Sequence, residues 1–210
     1  IQLIKNRNIR NFKNKIYYIP KYNEKILIYE TNLFSKWYAE DNLKSSKKKT
    51  FSKKFNKVIK ELISKLNLKN DVFVHRDFHV SNLMLVCDEI GIIDSQDALI
   101  GNKAYDLASL IDDVRFKTSK SFKKKVYGYY IKKQKNLIEN KFKNDFEILS
   151  VLRNLKIIGI FTRLSLRDGK KKYIKLIPYT WELINMRIKE NEVFYDLKSL
   201  LSQNFEKKIK

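Results

Sequence analysis

The chain holds one cysteine, Cys87, which excludes an internal disulfide, and two histidines, too few for a zinc site. Any metal is therefore expected to be a hard ion bound through oxygen. Cys87 has no His or Asn arrangement that would mark a nucleophile, and it is expected to be buried as a small apolar residue. No basic segment leads into an apolar stretch, and no apolar run approaches the roughly 18 residues of a membrane span, so a cytoplasmic protein is expected. Only two prolines and five glycines occur, which leaves few breaks for helices. Acidic residues are scarce as well: 23 Asp and Glu stand against 45 Lys and Arg, a formal charge of +22.

That charge alone would suggest a nucleic acid or an anionic membrane as partner. The excess is almost all lysine, however, and it comes with many Asn and Ile, the bias that an AT-rich genome imposes on exposed positions. Arginine, the better phosphate fork, is scarce, and glycine and aromatics are not interleaved as in RNA-binding surfaces. Neither a membrane nor a nucleic acid is expected as partner. At 210 residues and 43% hydrophobic, the chain can bury an ordinary core, as one globular unit or one large lobe.

Residues 1–22 are basic and end in Ile19-Pro20-Lys21-Tyr22, which reads as the close of a helix followed by a connector. From Glu24 the apolar positions Ile26, Leu27, Leu33, Phe34, Trp37 and Tyr38 recur at three-to-four spacing and predict a helix to about Asp41. A lysine-rich stretch from Lys44 to Lys54 is expected to cross solvent. Phe51, Phe55, Val58, Ile59, Leu62, Ile63 and Leu66 then give the clearest amphipathic helix. The period changes at Val72-Phe73-Val74, Leu83-Met84-Leu85-Val86 and Gly91-Ile92-Ile93-Asp94, three short β-rich runs. Helix returns after Gly101, and further helices are predicted over about 118–135, 143–166, 171–189 and 192–205. The expected fold class is α+β, mainly helical with a small β-hairpin insert.

The chemistry concentrates in Phe73-Val74-His75-Arg76-Asp77-Phe78-His79-Val80-Ser81-Asn82 and in Ile92-Ile93-Asp94-Ser95-Gln96-Asp97-Ala98. An Asp and an Asn sit five apart on one loop, and a second Asp follows twelve residues later, beyond a hairpin. Phosphoryl transfer from ATP needs a carboxylate for the acceptor hydroxyl's proton and oxygen ligands that hold Mg2+ against the phosphates. Asp77, Asn82 and Asp94 suit those roles in that order. Each residue alone has a plainer reading, since Asp and Asn make turns and a histidine beside a strand commonly satisfies the core.

Taken jointly, His-x-Asp-x4-Asn between two strands, followed by Ile-Ile-Asp at the end of a third, resembles the catalytic and metal loops shared by protein kinases and aminoglycoside phosphotransferases. The phosphotransferases typically read His-Gly-Asp-Leu-His-Pro-Gly-Asn. This chain keeps His75, Asp77, His79 and Asn82, with Val80 and Ser81 in place of the Pro and second Gly. A protein kinase would have Lys two residues after the base, where His79 stands here, so the small-molecule branch is favoured. The run from Asp94 to Gly101, with Ala104-Tyr105-Asp106-Leu107-Ala108, resembles the family's Asp-aromatic-x-Asp-Ala…Gly…Tyr-Asp-Leu-Ala pattern, with Ser95 where an aromatic is usual. The resemblance implies a protein-kinase-like fold, ATP and Mg2+ as cofactors, Asp77 as catalytic base with His75 orienting its loop, and Asn82 and Asp94 as magnesium ligands. Asp106 would brace the catalytic loop or else cap its own helix, and Asp97 and His79 would support the loop or the metal site from behind.

Two further stretches, Leu33-Phe34-Ser35-Lys36-Trp37-Tyr38 and Leu155-Lys156-Ile157-Ile158-Gly159-Ile160-Phe161-Thr162-Arg163-Leu164 with Arg167-Asp168-Gly169-Lys170, resemble segments of the bacterial N-acetylmuramate/N-acetylglucosamine anomeric kinases. That implies phosphorylation of the anomeric hydroxyl of an amino sugar, as in peptidoglycan recycling, with Glu30, Trp37, Asp113, Arg163 and Arg167 as candidate sugar contacts. Trp37 has a core alternative and Arg163 an ion-pair alternative. Ahead of Tyr22 there is no glycine-rich loop and no strand lysine followed by a Glu-bearing helix, the parts that hold ATP in this superfamily. Residues 1–22 are therefore expected to be a connector after the hinge and 23–210 the C-terminal catalytic lobe. The chain would be part of a longer one, inactive without the nucleotide-binding N-terminal lobe of the same polypeptide. The competing readings are another aminoglycoside- or choline-type kinase and a non-catalytic, basic nucleic-acid-binding module.

Overall fold

A computed structural model describes residues 2, 4, 7–189 and 191–209. Its elements begin with strands β1 (Asn8–Arg10) and β2 (Ile16–Tyr18), helix α1 (Glu24–Thr31), a π-helical turn (Phe34–Ala39), and helices α2 (Glu40–Asn42) and α3 (Ser45–Ser64). Strands β3 (Asn70–Val74), β4 (Leu83–Val86), β5 (Glu89–Ile92) and β6 (Leu99–Asn102) follow. Helices α4 (Ala104–Ile111), α5 (Lys120–Lys133), α6 (Glu139–Leu166), α7 (Ile177–Ile188) and α8 (Tyr195–Asn204) complete the chain. Helix predominates, and the strands described form two-stranded antiparallel sheets, β1-β2, β3-β6 and β4-β5, in line with the α+β expectation. No described helix is long and apolar enough to cross a membrane. Two compact units emerge, one of Ile1–Asn23 with Asn67–Phe146, the other of Glu24–Leu66 with Glu147–Lys210.

In the first unit β3 pairs with β6, Val74 opposite Leu99 and Phe73 opposite Ile100. Val74, Leu99 and Ile100 are buried, as are Tyr105 and Ala108 of α4 and Phe142 and Phe146 of α6. The segment ahead of α1 runs beside this sheet: Ile100 N–H donates to the Pro20 carbonyl at 2.8 Å, and Tyr22 N–H to the Ile100 carbonyl at 2.7 Å. Gly101 permits the approach, because a Cβ there would meet Tyr22 Cβ at 3.0 Å and Val74 Cγ2 at 3.1 Å. The wholly buried Asp145 carboxylate accepts from Asn67 N–H and Leu68 N–H, each at 2.8 Å, and from Asn102 Nδ2 at 2.6 Å. It thereby ties the approach to β3 to the end of β6, and each bond to an ionised carboxylate exceeds a neutral one in strength.

Three local expectations are corrected here. Residues 8–18 form a hairpin rather than the end of a helix, with Asn8 opposite Tyr18 and Arg10 opposite Ile16. Its turn is made by asparagines: Asn11 Oδ1 accepts from Lys13 and Lys15 N–H, and Asn14 takes a φ of 57°, a conformation asparagine tolerates. Residues 1, 3, 5 and 6 of the same expected segment lie outside the described residues. Strand β6 contains Gly101 and Asn102, both poor strand formers, and its pairing with β3 is what makes it a strand. Cys87 is exposed rather than buried, because it and Asp88 are the two turn residues between β4 and β5, at φ 47° and 64°. Such a two-residue link with both φ positive matches the twist of a hairpin.

In the second unit α3 buries Phe51, Phe55, Ile59, Leu62 and Ile63, one stripe of its surface. The expected solvent-crossing stretch is the first half of this helix, since lysine is a good helix former that keeps its charge in water. Around Phe34 gather Tyr38, Phe51, Phe55, Trp181 and Phe205, with ring centroids 5.2 to 6.3 Å from it. Helix α6 packs Gly159 directly onto the chain at the π-helical turn: a Cβ would lie 2.3 Å from the Leu33 carbonyl carbon and 2.6 Å from Phe34 N.

Candidate active site

Beyond the end of β3 two successive backbone N–H groups turn to one carboxylate. His75 N–H donates to Asp106 Oδ2 at 2.8 Å and Arg76 N–H to Asp106 Oδ1 at 3.1 Å. Asp106 lies in the first turn of α4, yet the group that receives the Ala104 N–H there is Asn102 Oδ1, at 3.0 Å. The buried His75 ring reaches across to the Ile93 carbonyl, Nε2 to oxygen 3.0 Å. A carbonyl only accepts, so Nε2 carries the proton in this contact. Arg76 sits at φ 72°, where the family pattern has glycine. A side chain costs about 1 kcal/mol in that conformation. Its guanidinium donates to the Asp97 carbonyl at 3.0 Å and lies 5.4 Å over the Tyr22 ring.

Asn82 joins the two loops. It closes the short 3-10 turn Val80–Asn82, its N–H donating to the His79 carbonyl at 2.9 Å. Its Nδ2 donates to the Asp77 carbonyl at 3.0 Å, and its own carbonyl accepts Ile93 N–H at 3.1 Å. Asp94 therefore emerges next to a residue hydrogen-bonded to both His75 and Asn82. It adopts φ 70°, and Gln96 Nε2 donates to its Oδ1 at 2.9 Å. Asp77 is half-buried, while Asp94 and Asp97 are exposed and His79 is buried. A protein cage for a metal is absent, since no group of three or more His, Cys, Asp and Glu among the described residues could hold one. Asn82 Oδ1 and Asp94 Oδ2, left over by these hydrogen bonds, are a donor pair that fits Mg2+, which takes its other ligands from water and phosphate.

Asp113 departs from the sugar contact expected of it. It is 1% exposed, its Oδ2 accepts Val80 N–H at 3.2 Å and its Oδ1 accepts Arg115 N–H at 3.0 Å, with the Arg115 guanidinium 3.7 Å away. Both oxygens are thus turned to backbone, one of them to the Asp77–Asn82 loop. Next to it Asp112 pairs with the buried Lys123 at 3.4 Å, and Lys123 also donates to the Ile111 carbonyl. Sequence reasoning missed Arg76, Asp112, Lys123 and Asp145; an acidic pair inside an otherwise apolar stretch at 111–114 was the available signal for the second of these.

The other sugar candidates belong to the second unit. Glu30 is buried and pairs with Lys156 at 3.0 Å. Trp37 is half-buried on the π-helical turn, a distortion that recurs at functional sites. Arg163 is half-buried, and its Nε has no hydrogen-bond partner among the described residues. Arg167 is exposed and meets its neighbour Asp168 at 2.6 and 3.1 Å, which holds the Asp168 carboxyl below the usual carboxylate range. Lys156, Gly159 and Arg163 fall on one face of α6 by their spacing, and Arg167 follows just past its end, its N–H donating to the Arg163 carbonyl at 2.8 Å. At Gly159 this face meets Leu33, so the two helical stretches singled out in the sequence are in direct contact.

Comparison with known proteins bears on the same residues. A model described as the phosphotransferase enzyme family matches residues 20–133, which include both loops and Asp106. An N-acetylmuramate/N-acetylglucosamine kinase of Neisseria meningitidis is 35% identical over 168 residues, covering 76% of this chain and 50% of that protein. Kinases of the same name from Pseudomonas putida and Caulobacter vibrioides are 28% and 32% identical, over 88% and 55% of this chain. The chain spans 56% and 33% of those two proteins, so it matches about half the length of its curated relatives or less. With the family model covering more than half of its residues, the chain belongs to the phosphotransferase enzyme family.

Proposed function

We propose that this chain is the catalytic, acceptor-side part of an ATP-dependent kinase that phosphorylates the anomeric hydroxyl of N-acetylmuramate or N-acetylglucosamine, acting in the cytoplasm in cell-wall recycling. The observation that carries the reading is the fastening of Asp77, Asn82 and Ile93-Asp94 to one another through the Asn82 side chain and backbone. The names of the relatives support the acceptor.

In this reading the half-buried Asp77 carboxylate takes the proton of the sugar hydroxyl as its oxygen attacks the γ-phosphorus of ATP, the bond to the β-phosphate oxygen breaks, and ADP leaves. Asn82 Oδ1 and Asp94 would hold Mg2+, which when bound neutralises charge developing on the phosphates. Asp106 fixes the backbone at 75–76, and Asp113 fixes Val80 three residues beyond the base, so Asp113 is assigned to loop geometry instead of sugar contact. His75 links the base's loop to the carbonyl preceding Asp94. Asp97 acts through its carbonyl, which Arg76 grips. Trp37, Arg163 and Arg167 remain proposed sugar contacts, with Glu30 held in place by Lys156. The protein-kinase-like lobe is likewise a proposal, with a nucleotide lobe supplied by the same gene product.

The gene-encoded polypeptide, given ATP and Mg2+, should convert N-acetylglucosamine or N-acetylmuramate to its 1-phosphate and leave the 1-O-methyl glycoside untouched. Phosphorylation of the methyl glycoside would move attack away from C1. Preference for kanamycin over either sugar would replace the acceptor class.

A further inference from the structure

Beside α1 and the first half of α3 lies a cleft of about 970 Å³, lined only by residues of the second unit. That volume is ample for a small-molecule ligand. Four lysines line it, Lys36, Lys48, Lys49 and Lys53, against one carboxylate, Glu40. Lys48 is neutralised by Glu40 at 3.0 Å, which leaves Lys36, Lys49 and Lys53 with no ion pair among the described residues. Lys49 and Lys53 are one helical turn apart, a like-charge spacing that destabilises a helix unless an anion lies between. The remaining lining is mixed, with Asn32, Ser45, Ser52 and Asn56 beside Tyr29 and Leu33. Ser35, 7% exposed, contributes to the same lining.

A lysine-rich composition scatters charge over a surface. Here three lysines with no ion pair among the described residues line one concavity. We infer that the cleft is a second binding site, for a soluble polyphosphate anion. A single phosphate would engage fewer of the three lysines, which are donated by two separate segments of the chain, whereas a chain of phosphates reaches all of them. Lysine suits such a ligand as a point charge without the bidentate geometry of arginine. None of the lining residues belongs to the Asp77 or Asp94 loops, while Leu33, Ser35 and Lys36 come from the stretch that carries Trp37.

The test is calorimetric titration of the protein with inorganic tripolyphosphate, without Mg2+, at about 50 mM salt, with inorganic phosphate as the comparison ligand. One tripolyphosphate per chain is expected, bound at least about tenfold more tightly than phosphate. Lys36→Gln with Lys49→Gln and Lys53→Gln should weaken it by about tenfold or more, the scale of removing three close charges. An equal removal of charge elsewhere, Lys124→Gln with Lys132→Gln and Lys141→Gln, should change affinity by less than about twofold. Equal loss in both triple variants, binding of many ions per chain, or no binding at millimolar tripolyphosphate would each overturn the proposal in favour of diffuse attraction to a basic surface. Should the cleft variant lose its thermal transition, Lys49→Gln alone serves, with a loss of about threefold expected and an unchanged affinity counting against the site.

Discussion

Asp77 and Asn82 share a hydrogen bond, yet substitutions at the two should act on different quantities. Asp77→Asn keeps the shape of the side chain and the backbone carbonyl that Asn82 grips, but removes the basic carboxylate. Turnover in the gene-encoded polypeptide should fall by about 10² or more at saturating ATP and sugar, with thermal stability retained. Near-normal turnover would remove Asp77 from the base role. Asn82→Ala and Asp94→Ala should each raise the Mg2+ concentration needed for half-maximal activity. Because one ion is in question, the double variant should cost clearly less than the sum of the two in free energy. A magnesium titration in which the effects add fully would mean that the residues serve different ligands. Spacing alone singles these three residues out as candidates. What spacing leaves open is which carboxylates hold the loop: Asp106 has a capping alternative, which in the structure Asn102 takes, and Asp113 reads as a candidate sugar contact although its oxygens turn to backbone. Such choices depend on which N–H groups tertiary pairing leaves without partners, and a local pattern does not contain that information.

The contact of α6 with the π-helical turn is an element-scale feature with a single vulnerable point. Gly159→Ala would put a methyl carbon 2.3 Å from Leu33 backbone, far inside van der Waals contact, and backbone cannot swing aside as a side chain can. The variant should lose about 1 to 3 kcal/mol, read as a lower urea midpoint. If the proposed sugar contacts on this face are right, it should also raise KM for the sugar more than KM for ATP. A stable variant with unchanged kinetics would show that the segments can separate without consequence. Helix α3 was evident in the sequence because burial of one stripe dictates the pattern, whereas α6 is buried on nearly every side from Ile148 to Gly159 and shows as a long, largely apolar run without proline. Strand β6 and the β1-β2 hairpin were not evident, since their residues are poor or ambiguous formers and partner strands organise them. The π-helical turn also left no mark in sequence; the same apolar spacing serves an α-helix.

At the scale of the whole molecule the formal charge of +22 opposes compaction, and it falls as lysines lose protons in alkali. By itself this would stabilise the fold as pH rises. A half-buried phenol acts in the opposite sense. Burial pushes Tyr130 up to about 12, with the hydrogen bond to Gln2 opposing the shift and the charge of Asp106 adding to it. Below about pH 10 the phenol is neutral in both folded and unfolded chains. Between about 10 and 12 it ionises in the unfolded chain first, so the folded state binds more protons and stability declines as pH rises. The full contribution is therefore present below the unfolded value and is lost as pH climbs through the folded one. With partial solvent screening it should amount to about 1 to 2 kcal/mol. Tyr130→Phe separates this from the lysine effect, which wild type and variant share. The variant should begin about 1 kcal/mol less stable near neutrality, having lost the bond to Gln2, and the gap should close and then reverse between about pH 10 and pH 12 in urea unfolding. A gap that stays constant across that interval would mean that Tyr130 titrates like an exposed phenol.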